Sequence, residues 1–239
     1  GEALDIFAPH VPGRSPAPVL VFIHGGYWRA LDKSEHSFLA PAFTREGVCV
    51  VMVNYALCPG APQAPVTVPQ IVRQVERALG WVWGNIERHG GDPGRITVAG
   101  HSAGGQLAAM LLTSVWPLLG DGWPDGLVRN ALSISGIHDL EPIMHTPFLQ
   151  SVLHLTEQHV LQASPARLQA PSQGIVYSAV GGDESAEFLR QARLLQDAWG
   201  SRAVPRHQVL AGLNHFSILD ALAQPGHDLH HMALNLLRA

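Results

Sequence analysis

The stretch Gly100-His101-Ser102-Ala103-Gly104 sets a serine between a short apolar run, Arg95-Ile-Thr-Val-Ala99, and a helical pattern from Ala103 to Ser114. Gly-x-Ser-x-Gly in that setting reads as a sharp strand-to-helix turn whose small flanking residues let the chain close. Such a turn exposes the serine hydroxyl at the carboxyl edge of a sheet. The start of the following helix adds partial positive charge beside it, where an oxyanion would develop. The competing reading is a glycine-rich turn whose serine merely caps the helix. What decides between them is whether the rest of the chain supplies a base, an acid and oxyanion donors.

The surrounding pattern repeats the same alternation. Further apolar runs are Pro18–Ile23, Val48–Val53, Ala131–Ile134, Ile175–Val180 and His207–Leu210, and several end at glycine. Continuous apolar runs of this length suit strands buried on both faces, as in a parallel sheet. Helical patterns lie between them at Ser34–Glu46, with Ser34 as expected N-cap, and at Thr67–His89, Glu184–Trp199 and Ser217–Ala223; a last one begins at Asp228. Strands alternating with helices predict a mostly parallel central sheet flanked by helices. Trp116–Gly126 reads as a loop, and Leu140–Ala170 as a small helical insertion that would sit over the carboxyl edge as a lid. With 239 residues, one domain spanning 1–239 is expected. The start at Gly1 without a methionine implies that an N-terminal segment precedes this sequence.

Three further features carry chemistry. His24-Gly25-Gly26-Tyr27-Trp28 follows a predicted strand, and glycines there let backbone N–H groups approach a ligand. With the N–H of Ala103, such a loop would hold an oxyanion, each donor being worth about 3–4 kcal/mol of barrier. A base is expected after the last strand, where His215 stands in Gly212-Leu-Asn-His-Phe-Ser217. His101 adjoins the serine, but neighbours on a sharp turn point apart, and His207 lies at the wrong end of its strand. The acid should lie between Ser102 and His215 in the chain, at a strand's carboxyl end. Asp183 and Glu184 both qualify and Asp139 less well. Asp92 precedes the strand carrying Ser102 and is separated from the active edge by that strand's length. His227, His230 and His231 invite a metal reading, but no Cys or carboxylate completes a zinc set, so a solvated helix face is expected.

HGGYW, GHSAGG, Val180-Gly-Gly-Asp-Glu-Ser-Ala-Glu-Phe188, Ser135-Gly-Ile-His-Asp-Leu-Glu-Pro142 and Ala163-Ser-Pro165 together resemble the arylformamidase (kynurenine formamidase) branch of the α/β hydrolases. The resemblance runs from Leu4 to about Leu222. It implies an α/β-hydrolase fold and oxyanion donors at Gly26 and Tyr27. It implies an acid immediately before the S-x-E-F segment, which here is Glu184 where the family more commonly has aspartate. Trp28 is placed by the same resemblance near the acyl side of a substrate pocket, with a core aromatic as the equal alternative.

The expected activity is hydrolysis of small carboxylic esters, aryl amides or formamides through an acyl-enzyme, with no metal and no organic cofactor. The alternatives are a general carboxylesterase of the hormone-sensitive-lipase-like type without formamidase activity, and a non-catalytic ligand-binding relative; an interfacial lipase is disfavoured by the short insertion. A net charge of −4 without basic clusters gives nucleic acid or anionic membrane no electrostatic support as a partner. No window approaches the ~20 apolar residues of a membrane span. A small-molecule ester or amide is the expected partner, with a homodimer as the only assembly considered. Cys49 and Cys58 form no disulfide framework, which suits a reducing compartment and a cytoplasmic location.

Overall fold

The computed structural model describes residues 3–10 and 16–239. Its strands are β1 (Leu4–Phe7), β2 (Ala17–Ile23), β3 (Cys49–Val53), a two-residue ribbon of β4 (Gly60–Ala61) and β5 (Ala64–Pro65), β6 (Gly91–His101), β7 (Asn130–Ile134), β8 (Ile175–Gly181) and β9 (Arg206–Leu210). Apart from the ribbon they form one sheet in the order β1-β3-β2-β6-β7-β8-β9. All its neighbours are parallel except β1, which pairs antiparallel with β3. β1 was not expected from the sequence, because its partner lies more than forty residues on and its half-buried edge carries little apolar signal.

The helices are α1 (Ala40–Thr44), α2 (Val68–Asn85), α3 (Ala103–Thr113), α4 (Glu141–Met144), α5 (Pro147–Leu153), α6 (Glu157–Ala163), α7 (Ala186–Ala203), α8 (Ser217–Ala223) and α9 (Asp228–Arg238). Alternate residues of the central strands feed opposite faces of the sheet, as the two-residue period of a strand demands. Val19, Val21 and Ile23 lie in one core cluster with residues of α2, α3 and α7. Leu20 and Phe22 pack with α1, α8 and α9. The sheet is thus covered on both sides, which is why its strands read as unbroken apolar runs.

Two expected helix starts shift. Ser34 is not an N-cap: Asp32 caps a 3₁₀ turn over Lys33–Leu39, its carboxylate accepting from Ser34 N while Glu35 reaches back to Asp32 N. The reciprocal pair satisfies two donors at once, and α1 begins only afterwards. The helix expected from Glu184 starts at Ala186 behind the cap Ser185, which leaves Glu184 outside the helix. The insertion is helical, as α4–α6. It is no loose lid, because Leu149, Leu153, Leu155, Val160 and Ala163 are buried in the core on the α2–α3 side of the sheet.

From β2 the chain moves outward to β3 on one side and to β6 on the other, so sheet order reverses between β2 and β6. In an open parallel sheet the carboxyl ends on either side of such a point bound a crevice. The HGGYW loop leaves β2 there, and the turn carrying Ser102 leaves β6.

Candidate active site

Ser102 stands between β6 and α3 with φ +56° and ψ −118°. A residue with a side chain holds that conformation only under constraint, at a cost of ~1–3 kcal/mol. The constraint is visible in the packing. Ser102 N donates to Ile134 O at 2.8 Å, tying the turn to the end of β7. A Cβ on Gly104 would lie 2.0 Å from the Ile23 carbonyl oxygen, so only glycine lets α3 start this close to β2. A Cβ on Gly25 would lie 3.0 Å from that of Ser102, which puts the HGGYW loop directly against the serine.

That loop is braced from below. Tyr55 Oη lies 3.0 Å from His24 O and 2.9 Å from Gly25 O and donates to them, while the His24 ring stacks on Tyr55 at 4.3 Å. With the Gly25 carbonyl held toward Tyr55, the planar trans peptide turns the Gly26 N–H to the opposite side. Gly26, Tyr27 and Trp28 then run at φ +96°, +50° and +56°, and the Gly26 carbonyl accepts from Arg29 N and Ala30 N. Ala103 N is the first N–H of α3 and has no carbonyl of its own helix to meet.

Of the two readings of Trp28, the structure shows the core aromatic. It is completely buried, so it forms no exposed pocket wall. Its indole donates to Gln106 Oε1 at 2.9 Å, and Gln106 Nε2 donates to Ala163 O at 2.8 Å. The tryptophan therefore locks the HGGYW loop to the helix behind Ser102 and to the insertion. Gln106 gave no signal in the sequence.

Glu184 and His215 come together. Glu184 Oε2 lies 2.6 Å from His215 Nδ1, with the carboxylate side chain 0% exposed and the imidazole 21% exposed. Oε1 accepts from Ser135 Oγ at 2.6 Å and from Gly181 N at 2.8 Å. Burial alone would raise this carboxyl, but the hydrogen bonds from His215, Ser135 and Gly181 outweigh it and hold its pKa below the usual carboxylate range. Asp183, its rival in the sequence, is exposed, and only its backbone is tied down, to Leu213 O. Asp139 is engaged with Arg167 instead. Ser135 sits at φ +50° just beyond β7, and its role as a brace for Glu184 could have been sought only in the Ser-Gly pair that ends that strand.

His215 is enclosed by rings: Phe188 at 4.3 Å, His101 at 4.5 Å and Phe216 edge-on at 5.7 Å. Phe188 comes from the S-x-E-F segment on the first turn of α7. Of the histidines near the C-terminus, His231 is exposed as a solvated face requires, but the other two are engaged. His230 is buried against Phe43 with Nδ1 on Leu222 O, and His227 caps α9. Among the described residues no group of three or more His, Cys, Asp or Glu side chains is arranged to hold a metal ion.

Comparison with known proteins bears on the family and the fold. Residues 4–117 match the BD-FAE family model and residues 73–167 that of the carboxylesterase family. A kynurenine formamidase of Danio rerio is 32% identical over 99% of this chain and 78% of its own length. The chain belongs to the kynurenine formamidase family. The Salmo salar family member is 30% identical with the same coverage. A solved structure from Silicibacter sp., carrying a provisional thioesterase assignment, superposes with a TM-score of 0.80 at 33% identity, over 99% of this chain and 80% of that one. This kynurenine formamidase relative has the α/β-hydrolase fold and is a hydrolase of esters or amides.

Proposed function

We propose that the chain hydrolyses small aryl formamides and carboxylic esters through an acyl-enzyme on Ser102, with His215 as base, Glu184 as the acid that orients it, and the N–H groups of Gly26, Tyr27 and Ala103 as oxyanion donors. The observation that carries this reading is the 2.6 Å contact of a fully buried carboxylate with His215 Nδ1. A carboxylate can only accept, so Nδ1 carries the proton and Nε2 is left with a free lone pair. That tautomer is the one a base requires. His215 takes the Ser102 proton as the oxygen attacks the carbonyl carbon. Glu184 stabilises the imidazolium that forms. The tetrahedral oxyanion meets donors fixed in place beforehand by Tyr55, Trp28 and the α3 start, so little reorganisation is needed at the moment of reaction. His215 then protonates the departing amine or alcohol, and water repeats the sequence on the acyl-enzyme.

The formamide part of the reading rests on relatives whose names state that activity, and the ester part on the carboxylesterase match over residues 73–167. Turnover of N-formyl-L-kynurenine, p-nitrophenyl acetate and p-nitrophenyl butyrate at equal enzyme concentration separates them. Formamide turnover together with ester turnover is expected. Ester turnover alone rejects the formamidase assignment, and binding without turnover of any of the three points to a non-catalytic relative. No helix among the described residues is long and apolar enough to cross a membrane. A cytoplasmic location, a homodimer and independence from nucleic acid complete the reading; sedimentation measures the second.

A further inference from the structure

We propose that His101 is a positioning residue for the base: its imidazole holds the backbone of His215, so that the turn carrying Ser102 also sets where His215 stands. The inference rests on the reading of Ser102 and His215 given above. His101 Nε2 lies 2.8 Å from the carbonyl oxygen of His215, across 114 residues of sequence. A carbonyl only accepts, so Nε2 is the protonated nitrogen. His101 is almost wholly buried, and its ring packs against the His215 ring at 4.5 Å with an interplanar angle of 44°.

The need for such a tether follows from the loop that carries His215. It runs from the end of β9 to α8 and turns through Gly212 at φ +74°. Its other bonds hold the neighbours of His215. Leu213 O accepts from Asp183 N, Leu213 N reaches Leu210 O at 3.4 Å, and Asn214 Oδ1 accepts from Phe216 N and Ser217 N. Glu184 fixes Nδ1 of the imidazole and the first turn of α7 supplies Phe188 against its face. Among the described residues, the His101 bond is what joins the backbone of the base to the strand that presents the nucleophile. A polar ring buried one residue before Ser102 costs desolvation that a leucine would not, and the hydrogen bond to His215 is what offsets it.

The tether also stays uncharged. Burial, reinforced by the neighbouring His215, pushes His101 down to about 3. The ring beside His215 is therefore neutral when His215 becomes an imidazolium, and no like charge opposes proton transfer from Ser102.

Three variants of the full chain test this: His101→Leu removes the donor, His101→Gln returns an amide donor at similar reach, and His101→Asn carries the same amide on a shorter arm. Turnover of p-nitrophenyl acetate is normalised to sites titrated with a fluorophosphonate, and the low-field proton resonance of His215 Nδ1–H is recorded on each protein. His101→Leu is expected to lose roughly 10–100-fold in kcat, with KM within about threefold, as small misplacements of catalytic groups do. Its low-field resonance should shift or broaden, and His101→Gln should recover both readouts to within about fivefold in rate. If His101→Leu does not fold, the Gln and Asn variants decide: an active Gln beside an impaired Asn supports the tether. Wild-type kcat per titrated site with an unmoved resonance in His101→Leu would overturn it, as would Gln and Asn variants that are equally impaired. An inactive wild-type protein would instead reject the hydrolase reading itself.

Discussion

Replacing Glu184 by glutamine keeps the size of the side chain and removes its charge, and the surrounding hydrogen bonds dictate what the amide must do. The Oε1 position receives the Gly181 N–H at 2.8 Å and the Ser135 hydroxyl at 2.6 Å. A backbone N–H can only donate, so the amide oxygen of the Glu184→Gln side chain has to occupy that position. The NH₂ group then faces His215 Nδ1, where Oε2 now sits at 2.6 Å. Nδ1 must become the acceptor, the imidazole proton moves to Nε2, and no lone pair remains to take the Ser102 proton. A trapped wrong tautomer costs a serine hydrolase about 10⁴-fold in kcat, which is about 5.5 kcal/mol of barrier. Initial rates on p-nitrophenyl acetate at pH 8, with circular dichroism to verify folding, measure it. Asp183→Asn is the companion variant, expected to stay within about twofold of wild type because Asp183 is exposed and its side chain touches none of this network. A folded Glu184→Gln protein within tenfold of wild type would refute the reasoning, and so would a large loss in Asp183→Asn.

Other expectations follow from the same geometry. Trp28→Phe leaves Gln106 Oε1 buried without its donor, which should cost roughly 1–3 kcal/mol in urea unfolding and lower kcat several-fold by loosening the HGGYW loop beside Ser102; unchanged stability and rate would show that the indole bond is idle. Stability should fall with acid well before the carboxylates titrate. Burial holds His101 down to about 3 and His138 down to about 4, against about 6.5 in an unfolded chain. Both folded values are depressed, so between those limits the unfolded state binds protons that the folded state refuses. The unfolding free energy should be highest above about pH 6.5 and drop by roughly 2.5–3 kcal/mol per pH unit toward pH 4 as two groups contribute. Glu184, also depressed, adds a loss at lower pH still, as its carboxylate is protonated. A denaturant series between pH 7 and 4.5 with a flat midpoint would contradict this.

What the sequence disclosed depended on whether the constraint was local. The turn at Ser102 needs a strand before it, a helix after it and small residues beside it, all close together in the chain, and these are legible in one pass. The pairing of an acid after β8 with His215 after β9 followed from chain order. Which acid was not legible from residue type, because Asp183 and Glu184 differ only in which way one turn faces. The structure brings Glu184 against His215, with Ser185 capping α7 and with Gly181 N and Ser135 Oγ donating to its carboxylate. Residue type leaves Trp28 open between pocket wall and core, because its partner, Gln106, lies 78 residues away and carries no motif. Beside Ser102 on a sharp turn, His101 is expected to point away from it. It does point away, and what it meets is the carbonyl of His215.

The central claim is that Ser102 is the nucleophile. Peptide mass spectrometry after reaction of the folded protein with a fluorophosphonate tests it most directly. One adduct per chain is expected, located on Ser102 and lost in Ser102→Ala. A folded, unlabelled Ser102, or an adduct carried by a different residue, would contradict it.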